Sequence, residues 1–307
     1  MPSRRPLVLA VVASALALVA CRREPTDAQP APRRPERSPP QPFASATERA
    51  NDGGAQPGEA HAPLAGFPAE VDLLPPAGAK DPTRYGIVTV PLGAREPRPL
   101  VVALHGGSDR PEWACSAWRG VSEGHAFVVC PRGPGSESAL GWSSPADTRM
   151  RVDRAVAAAR AMFGDFIADG PTVLVGFSMG ATQAALLAAS DPTRYPRVVL
   201  TESSYAPDAA ISFSRPWGKG GGERALFACT TQGCPAVYRS AAKIAARNHV
   251  SARLNDAKTT SHGMWVEVVA SLRRDWPWLV AGVPGWERYV APSPEGLQGS
   301  TESFAAE

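Results

Sequence analysis

Gly176-Phe177-Ser178-Met179-Gly180 is the stretch of this 307-residue chain best suited to covalent chemistry. A short β-branched and apolar run, Thr172 to Val175, leads into it, and an alanine- and leucine-rich run from Ala181 follows at once. A strand that turns sharply into a helix at Gly-x-Ser-x-Gly lifts the serine Oγ clear of the backbone, as a nucleophile requires. Glycine flanks the serine because a Cβ at either place would collide with the crossing strand or helix. Such a hydroxyl is a weak nucleophile alone. It needs a general base, a carboxylate to orient that base, and N–H donors for the oxyanion that develops.

The candidate base is His262, in Thr259-Thr260-Ser261-His262-Gly263-Met264-Trp265. It lies on a polar loop after the last expected strand and just before a C-terminal helix. His125 and His249 each precede a strand, at the opposite rim, and His61 falls in a proline-rich segment. One oxyanion donor is expected from the backbone N–H of Met179, at the start of the helix after Ser178. The other is expected from the loop His105-Gly106-Gly107, with Gly107 ahead of Gly106, because glycine lets the backbone approach a substrate oxygen. His105 itself is expected to hold that loop by hydrogen bonding. Three carboxylates compete for the orienting role. Glu202 ends the strand after the elbow helix and ranks first, Asp208 follows a few residues on, and Asp256 lies shortly before His262.

These side chains need elements to position them. Apolar, β-branched runs predict strands at 85–90, 99–104, 126–130, 172–177, 197–201, 225–229 and 250–254. Helices are expected at 115–124, from Asp147 onward, after Ser178, at 235–247 and from Met264 to Arg274, the last ending before Trp276-Pro277. Strands alternating with helices imply an α/β class: a doubly wound, mostly parallel sheet with helices on both faces. In such a sheet ligands bind at the C-terminal strand ends, where Ser178, Glu202 and His262 all fall.

The strand pattern, His105-Gly106-Gly107, the Gly176–Gly180 elbow and His262 together resemble the α/β-hydrolase superfamily. The glycine loop resembles the HG-type oxyanion motif of its esterases and lipases. Short connections look most like the dienelactone-hydrolase and polyhydroxyalkanoate-depolymerase-type esterase branch, over roughly residues 70–290. The resemblance implies a serine hydrolase that cleaves a small-molecule carboxylic ester through an acyl-enzyme, with no cofactor and no metal. A serine peptidase or thioesterase on the same scaffold, and a non-catalytic binding lipoprotein, are the competing readings. In most relatives the acid follows the second strand after the elbow. Here that strand runs into Cys229-Thr230-Thr231-Gln232-Gly233-Cys234, which holds no carboxylate; some members of the family place the acid where Glu202 stands. Only about twenty residues separate Tyr205 from Arg224, too few for a large helical cap domain. The tryptophans at 113, 118, 142, 217 and 265 read first as core and surface packing, and a sharper reading has Trp142 or Trp217 line a pocket for an acyl or aromatic group.

The N-terminus carries a different signal. Arg4 and Arg5 precede an apolar run, Leu7 to Val19, too short to span a bilayer stably. Leu18-Val19-Ala20-Cys21 resembles a bacterial lipobox, which implies a signal peptide at 1–20 and diacylation of Cys21. Arg22 after that cysteine resembles an outer-membrane destination, so the chain is expected to be exported and lipid-anchored, facing the periplasm or the cell surface. Residues 21–68 are proline-rich and expected to form a disordered tether. The hydrolase domain is expected at 69–292 and a disordered tail at 293–307. Export makes two disulfides reasonable for Cys115, Cys130, Cys229 and Cys234. Of the three connectivities, Cys115–Cys130 and Cys229–Cys234 suit the expected strand order, and the spacings match no common zinc pattern. A net charge of +3, partly from Arg4 and Arg5, gives no basic patch for nucleic acid. The sequence leaves the oligomeric state open.

Overall fold

Fully apolar strands at the middle of the chain set the architecture. Leu100–Leu104 (β3) and Val173–Phe177 (β7) are buried along their whole length, as strands covered on both faces must be. They lie side by side in a nine-stranded sheet of the computed structural model, which describes residues 61–203, 212–293 and 296–307. The expected signal peptide, Cys21, the expected tether as far as residue 60, and Asp208 lie outside the described residues. All the described residues belong to one unit, Gln56–Glu307.

The strands are Glu70–Leu73 (β1), Gly86–Thr89 (β2), β3, Phe127–Pro131 (β4), a small hairpin of Gly135–Ser136 (β5) and Ala139–Leu140 (β6), β7, Arg197–Thr201 (β8), Arg224–Cys229 (β9), Ser251–Asp256 (β10) and Ser300–Phe304 (β11). The large sheet runs β1-β2-β4-β3-β7-β8-β9-β10-β11. The six strands from β4 to β10 are parallel, and β1, β2 and β11 are antiparallel to their neighbours. From β3 the chain crosses to β4 on one side and returns to β7 on the other. The crevice above the C-terminal ends of β3 and β7 is therefore the topological switch point of the sheet.

Helices cover both faces. Pro111–Val121 (α1) packs against the last helix, and Cys115, Trp118, Leu272 and Trp276 share one core layer with the strands. On the other face lie Pro145–Phe163 (α2), Met179–Ser190 (α3), Ser214–Lys219 (α4) and Cys234–Arg247 (α5), around Leu187, Trp217 and Tyr238. Helix α2 starts at Pro145 because the Ser144 hydroxyl caps it, accepting from the Asp147 N–H at 3.2 Å. The disulfides are Cys115–Cys130 and Cys229–Cys234, with Cα separations of 5.7 and 5.5 Å. Three strands separate β4 from β9, which keeps the two pairs apart.

Several expectations are corrected. The last helix, Val266–Val280 (α6), does not stop before Pro277 but carries it inside. Burial of Leu272, Trp276, Leu279 and Val280 against the sheet outweighs the roughly 3 kcal/mol that an internal proline costs. The expected disordered tail at 293–307 instead contributes β11, paired with β10 from Ala252↔Phe304 to Asp256↔Ser300. The tether also ends earlier than residue 68. Leu64 is buried and donates its N–H to Ala94 O at 2.8 Å, and Phe67 meets Phe163 edge-on at 5.0 Å. Among the described residues no helix is long and apolar enough to cross a membrane.

Candidate active site

Ser178 is the turn between β7 and α3, with φ 55° and ψ −120°. A non-glycine residue in that region is strained, and here the surroundings impose it. A Cβ on Gly176 would stand 2.4 Å from Gly180 O, and one on Gly180 would stand 2.3 Å from Leu104 O. The Ser178 N–H donates to Thr201 O at 2.8 Å, tying the turn to the end of β8. One residue beyond that anchor is Glu202, itself at φ 45°, whose N–H donates to Ala228 O of β9 at 2.9 Å. The adjacent ends of β7, β8 and β9 thus carry Ser178, Glu202 and the Thr230-Thr231 loop.

His262 reaches this group from the loop between β10 and α6. Its ring lies against Phe177 with centroids 4.7 Å apart. Its Nδ1 stands 3.6 Å from Glu202 Oε2, an ion-pair rather than a hydrogen-bond separation. Nε2 is then the nitrogen left for the serine. Half-burial pushes the Glu202 carboxyl up, but His262 and the donors of Thr230 and Thr231 outweigh it and hold the pKa down at about 2. Of the other candidate acids, Asp256 accepts the Lys258 N–H at 3.0 Å and pairs with Lys258 Nζ at 3.2 Å, and Asp208 is outside the described residues.

The loop after β3 is held by its own residues. Gly106 N–H donates to Asp109 Oδ2 at 3.2 Å, Ser108 N–H to Leu140 O at 2.6 Å and Asp109 N–H to Gly106 O at 3.4 Å. Gly107 is the one amide of this run with no acceptor among the described residues. A Cβ on Gly107 would lie 4.0 Å from Met179 Cβ, so the two backbone segments are neighbours. Met179 opens α3, and its N–H belongs to the first turn, which has no intrahelical acceptor. His105 is buried under the loop. Gly133 N–H donates to its Nε2 at 3.1 Å, and its Nδ1 donates to Gly106 O at 2.7 Å, which makes it a neutral strut. Burial pushes its pKa down, consistent with that state.

Ser178, His262 and Gly107 line one cavity of about 660 Å³. Its far walls come from α1 and the start of α6, whereas Trp142 and Trp217 follow the packing reading and not the pocket one. Trp217 is fully buried, donating to Tyr195 O at 2.7 Å, and Trp142 packs on His105 at 4.8 Å, donating to His105 O at 2.8 Å. Trp113, Trp118 and Trp265 line the cavity instead. Trp113 and Trp265 are 61% and 55% exposed, a large apolar surface left open at the mouth. The signal for Trp265 was its place three residues after His262. Trp113 had none, because α1 starts four residues earlier than its sequence pattern suggests. Thr230 and Thr231 were likewise missed as partners of Glu202. Among the described residues no group of three or more His, Cys, Asp or Glu is arranged to hold a metal ion.

A parallel sheet with a strained serine at its switch point defines an α/β-hydrolase architecture. The chain belongs to that family: the family model for the alpha/beta hydrolase fold matches residues 99–282. A search of curated proteins finds no match. Solved structures resemble the fold at low identity. An uncharacterized protein from Bacillus cereus is 10% identical with a TM-score of 0.50, over 61% of this chain and 60% of that one. Est1E from Butyrivibrio proteoclasticus, solved with ferulic acid bound, is 12% identical with a TM-score of 0.48, over 63% and 94%. A Bacillus cereus carboxylesterase is 15% identical with a TM-score of 0.42, over 58% and 87%. At these identities the likeness is one of fold.

Proposed function

We propose that this chain is a serine hydrolase of carboxylic esters that carry an apolar group. The observation that carries the reading is Glu202 Oε2 at 3.6 Å from His262 Nδ1, beside a cavity lined by both His262 and Ser178. Ser178 Oγ attacks the ester carbonyl while His262 Nε2 takes its proton. The N–H groups of Met179 and Gly107 hold the oxyanion, and loss of one such donor typically costs roughly 3–4 kcal/mol of transition-state stabilisation. His262 returns the proton to the departing alcohol. Water then attacks the acyl-enzyme by the same steps reversed, and the acid product leaves. Glu202 stays ionised throughout and stabilises the imidazolium.

The apolar walls favour an acyl group larger than acetyl, because Trp113, Trp265 and Val266 lose exposed surface when such a group is seated. The absence of a large cap among the described residues agrees with the dienelactone-hydrolase and polyhydroxyalkanoate-depolymerase-type branch. Two disulfides agree with export, and we extend the proposal to lipid attachment at Cys21 and a membrane-tethered location outside the cytoplasm. Hydrolysis of p-nitrophenyl acyl esters against aminoacyl amides tests the reaction class. Turnover of the esters with little turnover of the amides is expected; the reverse preference makes the chain a peptidase.

A further inference from the structure

We infer that Thr230 and Thr231, on a loop closed by the Cys229–Cys234 disulfide, are positioning residues that turn the Glu202 carboxylate toward His262. The inference rests on the triad reading above and asks what holds its acid. Glu202 follows β8, but the groups that grip it come from the loop after β9. Thr230 N–H and Thr231 N–H donate to Oε2 at 2.9 and 3.0 Å. The Thr230 hydroxyl also donates to Oε2, and the Thr231 hydroxyl donates to Oε1. Four donors therefore fix both oxygens of one carboxylate, and Oε2 is the oxygen that faces His262 Nδ1.

The loop that grips is itself held. Its two ends, Cys229 and Cys234, are covalently joined. The Thr259 hydroxyl, on the loop that carries His262, donates to Thr230 O. Acid, grip and base loop are thereby tied to each other and not only to the sheet. On the Glu202 side, Ser203 N–H donates to Tyr238 Oη at 2.6 Å, and Thr182 and Ser203 share a hydroxyl contact at 2.7 Å. A carboxylate on a left-handed residue needs such restraint, because relaxation of the backbone would swing it away from the base.

The grip also governs charge. The titratable groups facing Glu202 are His262, from the β10–α6 loop, and Tyr238, on α5, whose phenol is pushed up by burial and stays neutral. Without the threonine hydroxyls, half-burial of Glu202 meets less opposition and its carboxyl titrates at higher pH.

The test uses the full chain bearing Thr230→Val and Thr231→Val, which keep the β-branched shape and both backbone donors. The expected result is a fall in kcat of about 10- to 100-fold with KM little changed. The deficit relative to wild type should widen as pH falls from 8 to 5, with rates normalised to active sites titrated by a fluorophosphonate. Thr230→Ser with Thr231→Ser should restore both rate and pH profile. If the double valine variant is too unstable to assay, each single valine variant should show the same widening deficit. The variant pair Cys229→Ser and Cys234→Ser should show it in weaker form. An active wild type whose valine variants keep kcat and an unchanged pH profile overturns the inference. A wild type that neither labels nor turns over overturns the triad reading beneath it.

Discussion

Glu202 and His262 face each other, Oε2 to Nδ1 at 3.6 Å, although they project from loops after different strands, β8 and β10. The strand between them, β9, runs into a loop that opens with Thr230 and Thr231, where the family resemblance leads one to expect a carboxylate. On the proposed reading the acid follows the neighbouring strand β8, and the loop after β9 supplies its hydrogen bonds.

Of the two candidate carboxylates among the described residues, Glu202 is the one that faces His262. Glu202→Gln should lower kcat by about a thousandfold to ten-thousandfold with KM little changed, as loss of the orienting carboxylate does in comparable triads. Asp256→Asn, whose carboxylate is engaged by Lys258, should leave kcat within about twofold. Steady-state kinetics on a p-nitrophenyl ester decides between them.

The depressed carboxyl of Glu202 ties stability to pH. Its pKa is about 2 in the folded chain against an ordinary 4.5, so folding favours the ionised form. The resulting stabilisation is fully present above about pH 4.5 and is lost as pH falls through 2. The difference in urea stability between wild type and Glu202→Gln should therefore shrink progressively as pH falls from 4.5 toward 2.

Trp113 and Trp265 should set chain-length preference rather than chemistry. Trp113→Ala or Trp265→Ala should raise KM for an octanoyl ester about tenfold and change acetyl ester hydrolysis by less than about twofold. An equal effect on both esters would remove the tryptophan walls from substrate binding.

The C-terminal strand is anchored by a buried acid. Asp275 on α6 is fully buried, accepting from Arg253 at 2.9 Å, Asn255 at 2.8 Å and the Thr301 hydroxyl of β11 at 2.7 Å. Thr301→Val should destabilise by about 1–3 kcal/mol, since it takes one donor from a buried carboxylate. Equilibrium urea unfolding at pH 7 measures it.

The parts of this molecule legible in the sequence are those fixed by local pattern. Val173–Phe177 and Leu100–Leu104 read as covered strands because nearly every residue is apolar, and the strand order they imply separates Cys130 from Cys229. The parts that escaped depend on partners distant in sequence. Ser300–Phe304 alternates polar residues with little apolar content and becomes a strand only because β10 offers an open edge. Pro277 marks a helix end by local rules, yet the burial of Trp276 and Leu279 carries α6 past it. Thr230 and Thr231 have no local signature as carboxylate holders. Their role arises from the register of β8 on β9, where Thr201 pairs with Ala228 and brings Glu202 level with the next loop.

Labelling with a fluorophosphonate, read by peptide mass spectrometry, decides whether Ser178 is the nucleophile. One adduct per chain is expected, on Ser178, abolished in Ser178→Ala and strongly slowed in His262→Ala. A folded wild-type chain in which Ser178 stays unmodified would contradict that role.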